Sequence, residues 1–279
     1  MTNYVGRFAP TPSGPLHFGS MVAAVGSWLD AKAHNGRWIL RMDDLDPPRV
    51  EPRAIDSILR TLEAYGLNWD GEVVYQSMRN EAYEDALSKL QQSGQTYFCQ
   101  CTRKDLTGQS IYPGTCRDRT EVEARLVRLR AKDEQVEWVD VGLGPCKFRV
   151  KEAIGDVVLR NAHGLFSYHL ANVVDDMHMG VTHVVRGEDL KEATVAHLYL
   201  QKELQGPVIR YHHLGLAYDA QGFKLSKQTH APAIVAERRE DVLNQVFHHL
   251  GLPSVDVAAP ETMLQSAVAS WRSKIAPTL

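Results

Sequence analysis

Between positions 7 and 20 the chain reads Arg7-Phe8-Ala9-Pro10-Thr11-Pro12-Ser13-Gly14-Pro15-Leu16-His17-Phe18-Gly19-Ser20, and these residue types suit phosphate chemistry. Three prolines stiffen the stretch, while Gly14 and Gly19 let backbone approach a ligand closely. A helix starting after Gly19 offers unpaired N–H groups and a positive dipole end to an anion. Arg7 and His17 add side-chain donors, although an ordinary strand-to-helix turn with a capping His fits the same residues. A second cluster is Cys99-Gln100-Cys101 followed by a polar segment ending Tyr112-Pro113-Gly114-Thr115-Cys116. Thiolates are soft donors suited to a tetrahedral zinc site. The fourth ligand is not evident, because no His lies between His34 and His163. Cys146 sits in Cys146-Lys147-Phe148-Arg149-Val150, a strand pattern in which a buried structural thiol is the simpler role.

The elements that must hold these residues follow from periodicity. Tyr4-Val5 is a short apolar run, Met21, Val22, Val25, Trp28 and Leu29 recur at helical spacing, and Asn35-Gly36 supplies the stop. Trp38-Ile39-Leu40-Arg41-Met42 reads as the next strand. Strand, loop, helix and strand make the βαβ unit of a nucleotide-binding sheet. Ligands in such sheets bind beyond the carboxyl ends of the strands, which brings in the acidic string Asp43-Asp44-Leu45-Asp46-Pro47-Pro48-Arg49; a solvated acidic turn fits it equally. Ala54, Ile55, Ile58, Leu59, Leu62 and Tyr65 predict a helix closed by Gly66. Val73-Val74-Tyr75 predicts a strand, and Tyr83, Ala86, Leu87 and Leu90 a further helix.

At Tyr97 the composition changes. Residues 121–132 carry Arg125, Arg128, Arg130 and Lys132 among Leu126 and Leu129, which reads as a helix whose basic face is a solvated surface or, in the other reading, an RNA contact. From Val136 to Arg160 short antiparallel strands are expected. The main pattern resumes at Gly164. Arg186 follows an apolar strand and offers a bidentate partner to a carboxylate, and Tyr168 offers a hydroxyl on a rigid ring. A structural ion pair is the other reading of Arg186. A helix over Glu192–Leu204, a strand over Val208–His212, and helical patterns around Val242, Val246 and Leu250 and around Met263, Val268 and Trp271 complete the chain. The boundaries divide it into 1–96 and 164–232 as two halves of a nucleotide-binding domain, 97–163 as an insertion, and 233–279 as a helical C-terminal segment.

Composition bounds the function. With 279 residues, 44% hydrophobic, the chain can bury a substantial core. A net charge of -3 argues against a non-specific nucleic-acid coat, while still allowing an RNA partner on a locally basic face. Four cysteines are too few for a disulfide scaffold. No apolar run approaches the roughly 20 residues of a membrane span, and no leader pattern is seen, so a cytoplasmic protein is expected.

His17-Phe18-Gly19-Ser20 resembles the His-Ile-Gly-His motif of class I aminoacyl-tRNA synthetases, and Lys224-Leu225-Ser226-Lys227-Gln228 resembles their Lys-Met-Ser-Lys-Ser loop. The string from Arg7 to His17 is similar to the glutamyl and glutaminyl branch. Where that branch reads Arg-Ile-Glu-Asp this chain has Arg41-Met42-Asp43-Asp44, one methylene shorter at the position that lies near the substrate amino group. With Cys-x-Cys and Tyr-x3-Cys in a chain this short, the resemblance narrows to the glutamyl-queuosine tRNA(Asp) synthetases, truncated paralogues of glutamyl-tRNA synthetase. It implies a Rossmann-type, doubly wound parallel α/β sheet with a zinc-containing insertion and no anticodon-binding domain. It implies catalytic roles for His17, Lys224 and Lys227, with ATP and its Mg²⁺ bound near His17, Gly19, Ser20 and Lys227. It also implies glutamate binding by Arg7, Phe8, Ala9, Pro10, Thr11, Asp43, Tyr168 and Arg186, and structural zinc on Cys99, Cys101, Tyr112 and Cys116. The activity implied is ATP-dependent activation of glutamate and its transfer to queuosine in the anticodon of tRNA(Asp), by a monomer. Two other readings are a minimal glutamyl-tRNA synthetase charging a tRNA 3′ end, and a non-catalytic, zinc-stabilised RNA-binding module.

Overall fold

The computed structural model describes residues 4–119, 126–216 and 234–276. Its first unit is the expected one: β1 (Val5–Phe8), α1 (Phe18–Ala33) and β2 (Arg37–Met42), followed by α2 (Ala54–Ala64), β3 (Val74–Tyr75) and α3 (Asn80–Gln92). β1, β2 and β3 form a parallel sheet in the order β1-β2-β3. α1 buries Met21, Val22, Val25, Trp28 and Leu29, the predicted stripe, and ends at the left-handed Asn35 (φ 53). Leu40 and Met42 from β2 join these residues in one core.

The insertion is built from β4 (Thr96–Cys99), β5 (Leu126–Leu129), β6 (Gln135–Asp140), β7 (Gly144–Arg149), α4 (Val150–Ala153) and β8 (Val158–Arg160). β4, β5 and β8 make an antiparallel sheet, while β6 and β7 form a hairpin of the short antiparallel strands expected between Val136 and Arg160. The basic helix predicted over 121–132 is corrected: Leu126–Leu129 is the central strand β5, and Arg125 lies outside the described residues. Leu126 and Leu129 fit a helical period, but Val127, Arg128 and Leu129 are all buried, because both faces of a central strand are covered. Arg128 is no solvated residue; its guanidinium lies 3.7 Å from the Tyr112 ring centroid and donates to Asp156 O at 2.8 Å.

The remaining elements are α5 (Tyr168–His178), β9 (His183–Gly187), α6 (Lys191–Glu203), β10 (Arg210–Leu214), α7 (Arg239–His249) and α8 (Pro260–Ile275). β9 and β10 pair in parallel. The strand predicted at Val208–His212 begins two residues later. The two parallel sheets meet where Thr182 N–H donates to Val5 O at 2.9 Å and Thr182 Oγ1 accepts from Val5 N–H at 2.9 Å. β1 and β9 are therefore neighbours, and the crevice at their carboxyl ends is where the doubly wound arrangement places a ligand. α7 and α8 are part of the main core, with Trp271 Nε1 donating to Asp30 Oδ1 at 2.8 Å. Among the described residues no helix is long and apolar enough to cross a membrane.

Candidate active site

A cavity of about 490 Å³ opens at the ends of β1 and β9. Its walls contain Arg7, Phe8, Ala9, Pro10, Thr11, His17, Gly19, Ser20, Tyr168 and Arg186, so residues far apart in the chain converge there. The proline-rich loop is fixed by backbone bonds from Asp43 N–H to Pro10 O (3.0 Å) and from Glu51 N–H to Pro12 O (2.9 Å). Gly14 has φ 117, a conformation that a side chain would strain. His17 caps α1: its Nδ1 accepts the Ser20 N–H at 3.3 Å. The ring is thereby oriented, and in the neutral form its proton resides on Nε2 as a donor.

Beneath the cavity lies a buried charge layer. Arg7 forks onto Asp176, with Nε and Nη2 each 3.3 Å from a carboxylate oxygen. Arg41 donates to Asp176 at 2.6 Å and to Asp43 at 2.8 Å. Burial raises the pKa of Asp176, but Arg7 and Arg41 outweigh it and hold the carboxyl below the usual range. For Asp43 burial wins, and its pKa rises despite Arg41. Asp43 is not among the cavity-lining residues; its short side chain is engaged with Arg41.

Arg186 has a different setting. It is buried, and it donates to Thr194 Oγ1 at 2.6 Å, Leu190 O at 3.2 Å, Tyr168 Oη at 3.4 Å and His213 Nε2 at 3.4 Å. Among the described residues it has no carboxylate partner, so the ion-pair reading is not what is found. His197 Nδ1 is 3.4 Å away. Burial, then Arg186, pushes the pKa of His197 well down and that of His169 to about 4, so both are neutral near pH 7. A buried guanidinium at a cavity wall, with no carboxylate partner among the described residues, is a receptor for an anion.

Several cavity and support residues carry no motif. Asn172 lines the cavity one turn beyond Tyr168 on α5, and Asp176 lies one turn further, so helical spacing from Tyr168 identifies both. Arg49 and Asp189 also line it. Lys224, Lys227 and the rest of the predicted lysine loop lie outside the described residues. The described chain reaches the cavity wall at Leu216, and Ile234 donates to the O of cavity-lining Leu16 at 2.9 Å.

In the insertion, one sulfur each from Cys99, Cys101 and Cys116 lies within 4.8 Å of the other two, and Cys101 and Cys116 are 3.6 Å apart. Tetrahedral zinc with Zn–S near 2.3 Å sets sulfurs roughly 3.8 Å apart. Tyr112 Oη is 3.4 Å from the Cys99 sulfur and 3.5 Å from that of Cys101, and Cys116 N–H donates to it at 2.9 Å. Three thiols and an oxygen thus fit a zinc ion. Cys146 is buried on β7, outside that cluster.

The profile described as tRNA synthetases class I (E and Q), catalytic domain, matches residues 4–250. A glutamyl-Q tRNA(Asp) synthetase of Thiobacillus denitrificans is 46% identical, over 98% of this chain and 95% of that protein. The glutamyl-Q tRNA(Asp) synthetase of Neisseria meningitidis serogroup B is 45% identical, over 96% of this chain and 95% of that protein. The solved glutamate-tRNA synthetase of Elizabethkingia anophelis superposes with a TM-score of 0.73 at 26% identity, covering 81% of this chain and 53% of that one. A glutamate tRNA ligase of Elizabethkingia meningosepticum, solved in complex with its amino acid, gives the same TM-score and identity over 81% of this chain and 52% of that one. The chain spans about half the length of these solved synthetases.

Proposed function

The chain belongs to the glutamyl-Q tRNA(Asp) synthetase family of class I glutamyl- and glutaminyl-type enzymes, and from that membership we propose that it activates L-glutamate with ATP and transfers the glutamyl group to queuosine in the anticodon of tRNA(Asp). The observation that carries the glutamate reading is Arg186, a buried guanidinium at the wall of the nucleotide-type crevice that has no carboxylate partner among the described residues.

In the first step the α-carboxylate of glutamate attacks the α-phosphorus of ATP, and pyrophosphate leaves. Class I synthetases use ATP with Mg²⁺, which when bound neutralises phosphate charge. The chain's own residues position the reactants and stabilise charge. Arg186 and Tyr168 hold a glutamate carboxylate, and Arg7, partly neutralised by Asp176, contacts the other; two guanidiniums favour glutamate over glutamine. The His17 ring, the N–H groups around Gly19 and the Ser20 side chain bind ATP phosphates. Lys227, supported by Lys224, neutralises the leaving pyrophosphate. Phe8, Ala9, Pro10 and Thr11 form the amino-acid side of the wall. Asp43, held by Arg41, acts on the substrate amino group only through this charge layer. In the second step the adenylate gives its glutamyl group to an acceptor hydroxyl; splayed anticodon-loop bases are accessible targets for such an enzyme.

Queuosine-containing and unmodified tRNA(Asp) compared as acceptors of labelled glutamate test this assignment. Labelling of the modified tRNA alone is expected; equal labelling of both, or labelling at the 3′ end, would contradict it.

Structural zinc belongs to the same reading, with Cys99, Cys101, Cys116 and Tyr112 as ligands. Freshly purified, unchelated protein is expected to hold about one zinc per chain, and Cys101→Ser to lose it. Metal analysis finding no zinc in the unaltered protein would remove the assignment.

A further inference from the structure

The β6–β7 hairpin of the insertion reaches back to the main domain and docks on β10, the strand paired with β9. Val141 N–H donates to Tyr211 O at 3.1 Å, and a Cβ on Gly142 would lie 2.0 Å from His213 O. That approach places the fully buried Asp140 against His213 of β10. One Asp140 oxygen accepts the N–H groups of Gly142 (3.0 Å), Leu143 (3.2 Å) and His213 (3.0 Å). The other lies 2.5 Å from His213 Nδ1 and 3.2 Å from Trp138 Nε1. Burial raises the pKa of Asp140, yet these bonds, led by that of His213, bring it down to about 2, so the carboxylate is charged.

His213 is the register partner of Arg186 across β9 and β10. Its Nε2 lies 3.0 Å from Thr194 Oγ1 and 3.4 Å from Arg186 Nε. A guanidinium Nε is only ever a donor, so Nε2 must accept, and the ring proton then belongs on Nδ1, facing Asp140. The Tyr211 ring completes the cradle, with its centroid 5.1 Å from the Arg186 guanidinium carbon and stacked on His213.

We propose that Asp140 and His213 are positioning residues for glutamate: Asp140 fixes the His213 tautomer that presents an acceptor to Arg186 and Thr194, and this aims the guanidinium at the substrate carboxylate. The proposal rests on the reading of Arg186 as the glutamate-binding arginine.

Two substitutions act on different links. His213→Phe keeps a ring and removes the acceptor. Asp140→Asn keeps one oxygen for the backbone N–H groups and turns a donor toward Nδ1, which selects the other tautomer and sets an N–H against Arg186 Nε. Titration calorimetry with L-glutamate and, separately, with ATP on the full chain is the test. Each substitution is expected to weaken glutamate binding about tenfold and leave ATP binding unchanged. His213→Gln, whose Oε1 stands the same number of bonds from Cβ as Nε2, is expected to restore glutamate binding to within about threefold. Unchanged glutamate affinity in either variant, parallel loss of ATP affinity, failure of Gln to rescue, or no glutamate binding by the unaltered protein would overturn the proposal. Pyrophosphate exchange by the unaltered protein reports on the activation reading separately: binding without exchange leaves the positioning role standing while that reading fails.

Discussion

Replacing Arg186 by Gln is expected to lower kcat/KM for glutamate by about 10²- to 10³-fold while ATP affinity is unaltered. Losing one partner of a buried charge pair costs about 2–5 kcal/mol, and each 1.4 kcal/mol is about tenfold. The group is buried without a carboxylate partner among the described residues, so none of these stabilises its charge through an ion pair. Burying a cation in that state opposes stability, and Gln removes the burden while retaining a donor for Thr194. The unfolding midpoint of the substrate-free variant is therefore expected to stay level or rise. An Arg held in place for stability gives the opposite pattern: a lower midpoint and normal glutamate affinity. Pyrophosphate exchange at varied glutamate, read beside a thermal melt, separates the two.

The second large effect belongs to the lysine loop. Lys227→Ala is expected to slow adenylate formation by about 10²- to 10³-fold, because removing one contact to charge developing in a transition state costs about 3 kcal/mol. Glutamate affinity should change little, since the charge being stabilised is on pyrophosphate. Leu225 and Gln228 stand where the family motif has Met and Ser, and neither change removes a cation. Single-turnover formation of the adenylate with saturating glutamate measures the step; an unaltered rate would overturn the role of the loop.

The two predictions differ in how their residues are legible. The β1-loop-α1-β2 unit could be read almost directly, since Met21 to Leu29 give a helical stripe, Asn35-Gly36 a stop, and Trp38 to Met42 a buried strand. The cavity-lining set from Arg7 to Ser20 followed with it, because the end of β1, the loop and the start of α1 carry them in one continuous stretch. Arg186 was visible as a cation at the end of an apolar strand, but the Thr194 and His213 contacts that surround it come from α6 and β10, which sequence spacing does not bring together. Tyr112 was joined to the cysteine cluster through the family resemblance, since a phenol among thiols has no spacing rule of its own. Asp140 and His213 had no local signal: they are 73 positions apart and meet only because the hairpin docks on β10. β5 was misread for a related reason, as burial of both strand faces erases the alternation that distinguishes strand from helix. Asp43 shows the remaining limit, because its contact with Arg41 and its place outside the cavity lining depend on distances that residue type alone does not give.

The central claim is that this chain by itself activates glutamate. The measurement that tests it most directly is exchange of labelled pyrophosphate into ATP by the purified, zinc-replete protein, with L-glutamate present and tRNA absent. Exchange that saturates with glutamate, is not supported by glutamine, and is lost in Arg186→Gln is the result predicted. No glutamate-dependent exchange without tRNA would contradict the account.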